Sequence, residues 1–430
     1  MAQRAGGTVV DEPPRPSRRE RREERSRYRR AGRSRRTRAS RPGELDAAAP
    51  AGQRSRRRER RLRAQRRRFW LVVMPGIALA LAAAVGVGML VRADDSDGGK
   101  DTTAPPSADV PADTLLLTHT DASGRADLLV VVGTGGEDAS VLLLPAATQV
   151  EVPSLGVQTL ADLPAQGDDD LLRTTVENML GVRIGTTLVV DDADLVAALA
   201  PAEPLTVEMQ RSVRLDDEVT VPSGTQELDA ATAARVLTAT QPGSELDRLV
   251  TVQDVLDAWM ARLGDERAAA ATVAKRPELG VLVDAGASAP HRTDTLPVES
   301  IATGGGERFE VRRDALARYV NGAFANALLA PAGERPRVEI LNGTGAVGVA
   351  QGAAAKVVPA GGEVTLTGNV PGFGVATTQV VYYRDAQRAD AQRLLDALGC
   401  GVLKKATTAI GVVDVTVIVG ADCPAIAATG

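Results

Sequence analysis

The sequence predicts an α/β layered domain followed by a small α+β domain, both carried behind one N-terminal transmembrane helix and a disordered basic tail. Three observations predict this. An uncharged run of 23 residues extends from Phe69 to Val91. The charge balance reverses across it. Beyond residue 112, apolar strand-like runs alternate with segments of helical period over about 315 residues, enough for two domains.

At about 1.5 Å per residue, a helix from Phe69 to Val91 covers roughly 35 Å, enough for a hydrocarbon core of ~30 Å. Pro75 and Gly76 lie inside the run, where a membrane helix tolerates them better than a soluble one. Twenty-five arginines precede it between Arg4 and Arg68, and Asp94, Asp95 and Asp97 follow. That asymmetry places the N-terminus in the cytoplasm and residues 92–430 outside the cell membrane, behind a single-pass anchor. A cleaved signal peptide is the competing reading. It fits poorly, because signal n-regions are short and their apolar runs span only about 7–15 residues.

The net charge of −4 averages two opposite halves. Residues 1–68 hold 25 Arg against 8 Asp/Glu, or +17; the remainder holds 26 basic and 47 acidic residues, or −21. The tail, with RRERREERSRYRR and RSRRRERRLRAQRRR, has too little apolar surface to repay ordering. Each arginine gains ~1 kcal/mol near an anionic leaflet, so anionic lipid headgroups are its expected partner and nucleic acid is not. Residues 92–112, RADDSDGGKDTTAPPSADVPA, read as a flexible stalk.

The first domain is expected over 113–330. Thr114–Leu117, Leu128–Gly133 and Val141–Pro145 read as strands joined by Gly/Asp turns. Asp170–Leu180 has helical spacing and stops at Gly181, with Asp170 as N-cap. A strand at Thr187–Val190 and a helix at Ala193–Leu199, broken by Pro201, come next. Leu228–Thr240 and Leu246–Leu263 read as helices, the second carrying Trp259 toward the core. Residues 264–296 are less decisive, with VLVDAG resembling a strand; Arg313–Leu329 reads as a helix.

APAGERP (330–336) reads as a linker, and the second domain spans 335–424. Its expected elements are strand Arg337–Leu341, helix Val349–Val357, strand Thr378–Tyr383, helix Ala386–Leu398 and strand Val413–Val419. The glycine-rich stretch NGTGAVG (342–348) lacks the Lys-Ser/Thr pair of a phosphate loop, so a backbone turn is expected there. Cys400 and Cys423 are the only cysteines, and an oxidising compartment favours pairing them; the alternative is two separate buried thiols. With only His119 and His291 besides, no metal site is expected.

TLLLTHTDASGRADLLVVV followed by VLLLP, then LLRTTVENMLGVRIGTTLVVD and LDAATAARVL, resembles a LytR-CpsA-Psr (LCP) domain. VEILNGTGAVGVA, TTQVVYYRDAQRADAQRLLDALG and DVTVIVGADCP resemble the LytR C-terminal domain that often follows it. The resemblance implies a cell-envelope protein of a high-GC Gram-positive bacterium. Active members are implied to be phosphotransferases that hold a polyprenyl-pyrophosphate-linked glycopolymer in a hydrophobic pocket and transfer it to peptidoglycan with Mg²⁺. A pyrophosphate needs arginines for bidentate pairing and carboxylates for the metal.

Four places supply those groups in the family. At the first, Asp121, Arg125 and Asp127 stand in register, as a residual phosphate or Mg²⁺ site or, more simply, as solvated turn residues. At the second, Pro145-Ala146-Ala147 replaces Pro-Arg-Asp. At the third, Thr238 and Thr240 replace an Arg-x-Arg. At the fourth, Glu245-Leu-Asp-Arg248-Leu-Val-Thr251 keeps Arg248 and loses the next arginine. Loss of one preorganised donor costs ~10²-fold or more in rate, and three arginines and a carboxylate are missing. The expectation is therefore a catalytically silent protein without cofactor, binding a wall glycopolymer, a lipid carrier or a wall-assembly partner such as an LCP enzyme. The alternative is an active transferase, with Mg²⁺ as its only cofactor, should Arg173, Arg211 or Arg214 reach the cleft. His119 has no visible nucleophile or orienting partner in sequence. The few aromatics argue against a lectin-like stacking platform.

Overall fold

The structure is a computed structural model and describes residues 114–427, apart from 135–137, 154, 216–218, 289, 302–305, 331–333 and 408–411. The basic tail, the Phe69–Val91 run and the stalk lie outside the described residues. Among the described residues no helix is long and apolar enough to cross a membrane.

The first domain is built on a five-stranded sheet in the spatial order His291–Thr295, Ala139–Leu143, Ala126–Gly133, Thr114–Thr120, Thr186–Val190. The middle three strands form an antiparallel meander; each outer strand runs parallel to its neighbour. Both faces are covered, which is why these strands read as continuous apolar runs rather than alternating ones. Leu115, Leu117, Leu128, Val130, Val141 and Leu143 point to one face. There they meet helices Asp192–Leu199, Ala230–Thr238, Glu245–Leu263 and Gly280–Ala287 around Trp259, which is 0% exposed. Leu116, Leu129, Val131 and Leu142 point the other way, toward helices Asp169–Leu180 and Arg313–Ala323.

Several expectations need correction. VLVDAG lies in a helix, Gly280–Ala287, not a strand. Its β-branched valines and flanking glycines mimic a strand, and a short apolar run carries no decisive period. Glu266–Lys275, capped by Asp265, is a helix that the sequence left open. The N-cap of Asp169–Leu180 is Asp168, whose carboxylate accepts from the Leu171 N–H at 3.1 Å; in a run of three aspartates the capping position is ambiguous by a residue or two. Arg313 begins a helix that ends at Ala323 and passes into a 3₁₀ turn at Ala325–Ala327.

The second domain is a mixed five-stranded sheet in the order Glu363–Asn369, Arg337–Asn342, Val415–Val419, Gln379–Tyr382, Val402–Lys405. Strands Glu363–Asn369 and Val402–Lys405 were not expected. Helices Val349–Val357 and Arg388–Leu398 bury Ala350, Ala353, Ala354, Ala391, Leu394 and Leu398 in the sheet's core. Cys400 and Cys423 are disulfide-bonded with Cα atoms 5.6 Å apart. The bond ties the end of a helix to the end of a strand, and closing such a loop contributes about 2–4 kcal/mol.

The two domains are joined through the TVENMLGV stretch. Asn178 pairs with the backbone of edge residue Val364 as another strand would, donating to its carbonyl at 2.8 Å and accepting from its N–H at 2.9 Å. Arg335, expected in a linker, is instead held at the junction. Its guanidinium donates to the carbonyls of Asn178 (2.8 Å) and Gly362 (2.6 Å), and burial pushes its pKa down to about 10. Glu177 is 1% exposed and accepts from the Ile184 N–H at 2.8 Å.

Candidate functional site

The resemblance directs attention to the end of the central sheet where Ala146, Ala147, Thr238 and Arg248 lie. The first group there begins with a turn. Asp121 accepts from the N–H of Ser123 (2.8 Å), the Ser123 hydroxyl (2.6 Å) and the N–H of Arg125 (3.0 Å). These bonds hold Asp121 below the usual carboxylate range, the Ser123 hydroxyl contributing most. Asp121 therefore closes the hairpin between the first two strands, as its turn position suggests. Arg125 turns away to pair with Asp162.

Arg248 and Asp127 do meet, but as structure. The Arg248 guanidinium donates to the Asp127 carbonyl at 2.5 Å and the Leu237 carbonyl at 2.9 Å. It lies 3.9 Å from Glu245, and its side chain is only 10% exposed. Burial lowers its pKa, opposed by the charges of Glu245 and Asp127. Of the four residues expected to form a residual phosphate or Mg²⁺ site, the structure brings together only Asp127 and Arg248, through a backbone oxygen. Among the described residues no three His, Cys, Asp or Glu side chains are placed to hold a metal ion.

What fills the centre is anionic. The N–H groups of Ala146 and Ala147 both point at the Glu245 carboxylate, donating at 2.6 Å and 3.0 Å. Two successive amides aimed at one acceptor form a small anion-binding hollow. Glu245 opens the 19-residue helix Glu245–Leu263, whose N-terminus is the positive end of its dipole. Glu307 occupies that end, accepting from the Ser244 hydroxyl and the Glu245 N–H, each at 2.7 Å. A helix start is an anion site by default; here the chain supplies the anion itself. Glu307 has no signal in sequence, since it acts 62 residues from the helix start that it caps.

Two of the three arginines expected to restore the cleft are paired with carboxylates of the chain. Arg173 pairs with Asp170 at 2.7 Å. Gln241 holds the Arg214 backbone, not its guanidinium, accepting from its N–H at 3.3 Å and donating to its carbonyl at 2.8 Å. Arg211 pairs with Asp247, in the first turn of the Glu245–Leu263 helix, at 2.9 Å. Thr238 spends its hydroxyl on the Ala234 carbonyl at 3.1 Å.

His119 has the partners that the sequence hid. It is 1% exposed, with Nδ1 2.6 Å from Asp127 and Nε2 3.1 Å from Asp192. Both ring nitrogens donate to carboxylates only in the imidazolium form. Burial alone lowers the His119 pKa, but the bonds to and charges of Asp127 and Asp192 outweigh it, and the net shift is upward. A folded-state pKa above the unfolded value gives stability fully present below ~6.5 and lost as pH rises through the folded value. Urea unfolding of the parent is therefore expected to show a midpoint that falls between pH 6 and 9, with the fall reduced in His119→Asn. An identical pH slope in the two proteins would show that the clamp carries no charge.

In the second domain, NGTGAVG is a turn organised by Asn342. Its side-chain oxygen accepts from the N–H groups of Thr344 and Gly345 at 3.0 Å each, and its amide donates to the Ala346 carbonyl at 2.7 Å.

Residues 335–422 match the family model described as LytR cell envelope-related transcriptional attenuator, covering the segment singled out by LNGTG and VVYY. No curated protein matches the chain significantly. Solved structures similar to it include TagT of B. subtilis (19% identity, 56% of this chain and 96% of that one, TM-score 0.42) and TagV of B. subtilis (15%, 49% and 96%, 0.43). A LytR-Csp2A-Psr enzyme from Actinomyces oris is also similar (18%, 50% and 92%, 0.41).

Proposed function

We propose that this chain is a non-enzymatic cell-envelope protein that binds a wall glycopolymer, its lipid carrier or a wall-assembly partner. The observation that carries the reading is the Glu245 carboxylate seated on the Ala146 and Ala147 amides. With Glu307 on the adjoining helix start, both anion-receptive positions hold the chain's own carboxylates. An incoming diphosphate would have to expel two negative charges, and Arg248 is committed to backbone carbonyls. Preorganised positive charge is the term that phosphoryl transfer depends on most, and its inversion supports a silent site. The LytR-type C-terminal match supports an envelope setting.

The competing reading, an LCP-type phosphotransferase using Mg²⁺, is favoured only by Arg211 at the first turn of the Glu245–Leu263 helix. The full-length chain incubated with polyprenyl pyrophosphate is expected to release no phosphate, with or without Mg²⁺. Metal-dependent release would refute the silent site.

The proposal extends to topology. Phe69–Val91 anchors the chain in the cell membrane once, N-terminus inside, and the arginine tail lies on anionic headgroups. Partition of the tail peptide into liposomes should rise steeply with anionic lipid content and fall with salt. Partition indifferent to lipid charge would contradict this account.

A further inference from the structure

A cleft of about 650 Å³ lies where the two domains meet, lined by both. Its charged groups fall into two sets. Arg313 pairs with Glu363, Arg337 pairs with Asp414 at 3.1 Å, and Arg335 is spent on the Asn178 and Gly362 carbonyls. The cleft's cations are thus committed. Glu151, Glu310 and Asp314 also line it, and none makes a side-chain hydrogen bond or ion pair among the described residues.

The position of two of these carboxylates is set by strand register. Thr148 bridges Phe309 in parallel. Continuing that register sets Gln149 beside Glu310, with Glu151 two residues further along on the same face. Among the described residues no cation pairs with either carboxylate. Glu151 is half-buried, and burial raises its carboxyl with nothing opposing it. An independent feature lies in the same cleft: Thr175 is 1% exposed and its hydroxyl has no hydrogen-bond partner. The apolar lining beside these polar groups includes Val157, exposed and directly across the strand pair from Glu151, and half-buried Met179.

Uncompensated carboxylates beside an apolar lining suit a cation on an alkyl stem, whose methylenes lie on apolar surface while its charged head is held at the rim. A divalent metal fits less well, since no three acidic groups here are placed as ligands. We infer that the inter-domain cleft binds the alkylammonium side chain of a peptide, its charge taken by Glu151 and Glu310 and its methylenes by the apolar surface of Val157 and Met179. The cleft shares no lining residue with the Glu245 site, so this assignment stands apart from the reading of that site.

The test is a ligand-observed NMR titration of the full-length chain with the capped peptide Ala-Lys-Ala, using the same peptide with norleucine in place of lysine as the neutral isostere. The lysine peptide is expected to bind saturably, about tenfold or more tighter than the norleucine peptide, and to weaken by a similar factor in Glu151→Gln/Glu310→Gln. That variant strands no partner and is expected to keep the parent melting temperature. The comparison of the two peptides on the parent chain does not depend on it. Absence of saturable lysine-peptide binding, equal binding of both peptides, or unchanged affinity in the double variant overturns the assignment.

Discussion

Replacing Arg248 with alanine is expected to destabilise the first domain by about 3–5 kcal/mol, because removing one member of a buried charged network strands the others. The guanidinium reaches three groups, the Asp127 and Leu237 carbonyls and the Glu245 carboxylate, with little water access. Without it both carbonyls lose a charged donor, and Glu245 keeps only the Ala146 and Ala147 amides. For a domain of this size the loss corresponds to roughly 10 °C in melting temperature. Arg248→Lys is expected to recover less than half, since one ammonium cannot span the same fork of acceptors. A phosphate contact kept for ligand would behave differently: its removal would leave the free protein close to parent stability. Thermal unfolding of Arg248→Ala therefore separates a structural arginine from a ligand-binding one.

The second large effect is expected at Trp259. It is 0% exposed in the core between the sheet and helices Asp192–Leu199, Ala230–Thr238 and Gly280–Ala287. Trp259→Ala removes the largest side chain of that core and should cost about 3–5 kcal/mol through lost burial and a residual cavity. The indole N–H has no hydrogen-bond partner, and leaving a donor buried and unpaired costs about 1–3 kcal/mol. Trp259→Phe deletes that donor while keeping an aromatic ring, so its cost should fall well below the alanine value. Urea midpoints of the two variants test this. Equal losses would mean that the phenyl ring recovers none of the packing lost with the indole, contrary to this expectation.

The elements legible in the sequence were those whose signals are local. The meander from Thr114 to Leu143 announced itself through apolar runs separated by Gly/Asp turns, and Gly181 stopped its helix as read, in the left-handed conformation at φ 70°. Helix Val349–Val357 falls where its spacing placed it. Gly280–Ala287 resembles a strand because its eight residues are apolar or glycine except Asp284, and with two valines they fit either period. The site was harder for a different reason. The loss of arginines at Ala146 and Thr238 is visible along the chain, but what replaced them is not. Glu245 meets Ala146 across 99 residues, and Asp192 meets His119 across 73. Neither pairing leaves a trace in local pattern, so the partners of His119 and the seat of Glu245 are invisible along the chain. Likewise TVENMLGV read as part of a domain signature, whereas Asn178 serves the junction with the second domain.

One measurement bears most directly on a site lined by its own carboxylates. The full-length chain is supplied with a polyprenyl-pyrophosphate-linked glycan, peptidoglycan fragments and Mg²⁺, and glycan attached to peptidoglycan is quantified. The account predicts no product above the protein-free control at any Mg²⁺ concentration. Glycan-linked peptidoglycan that forms only with the metal present would contradict it.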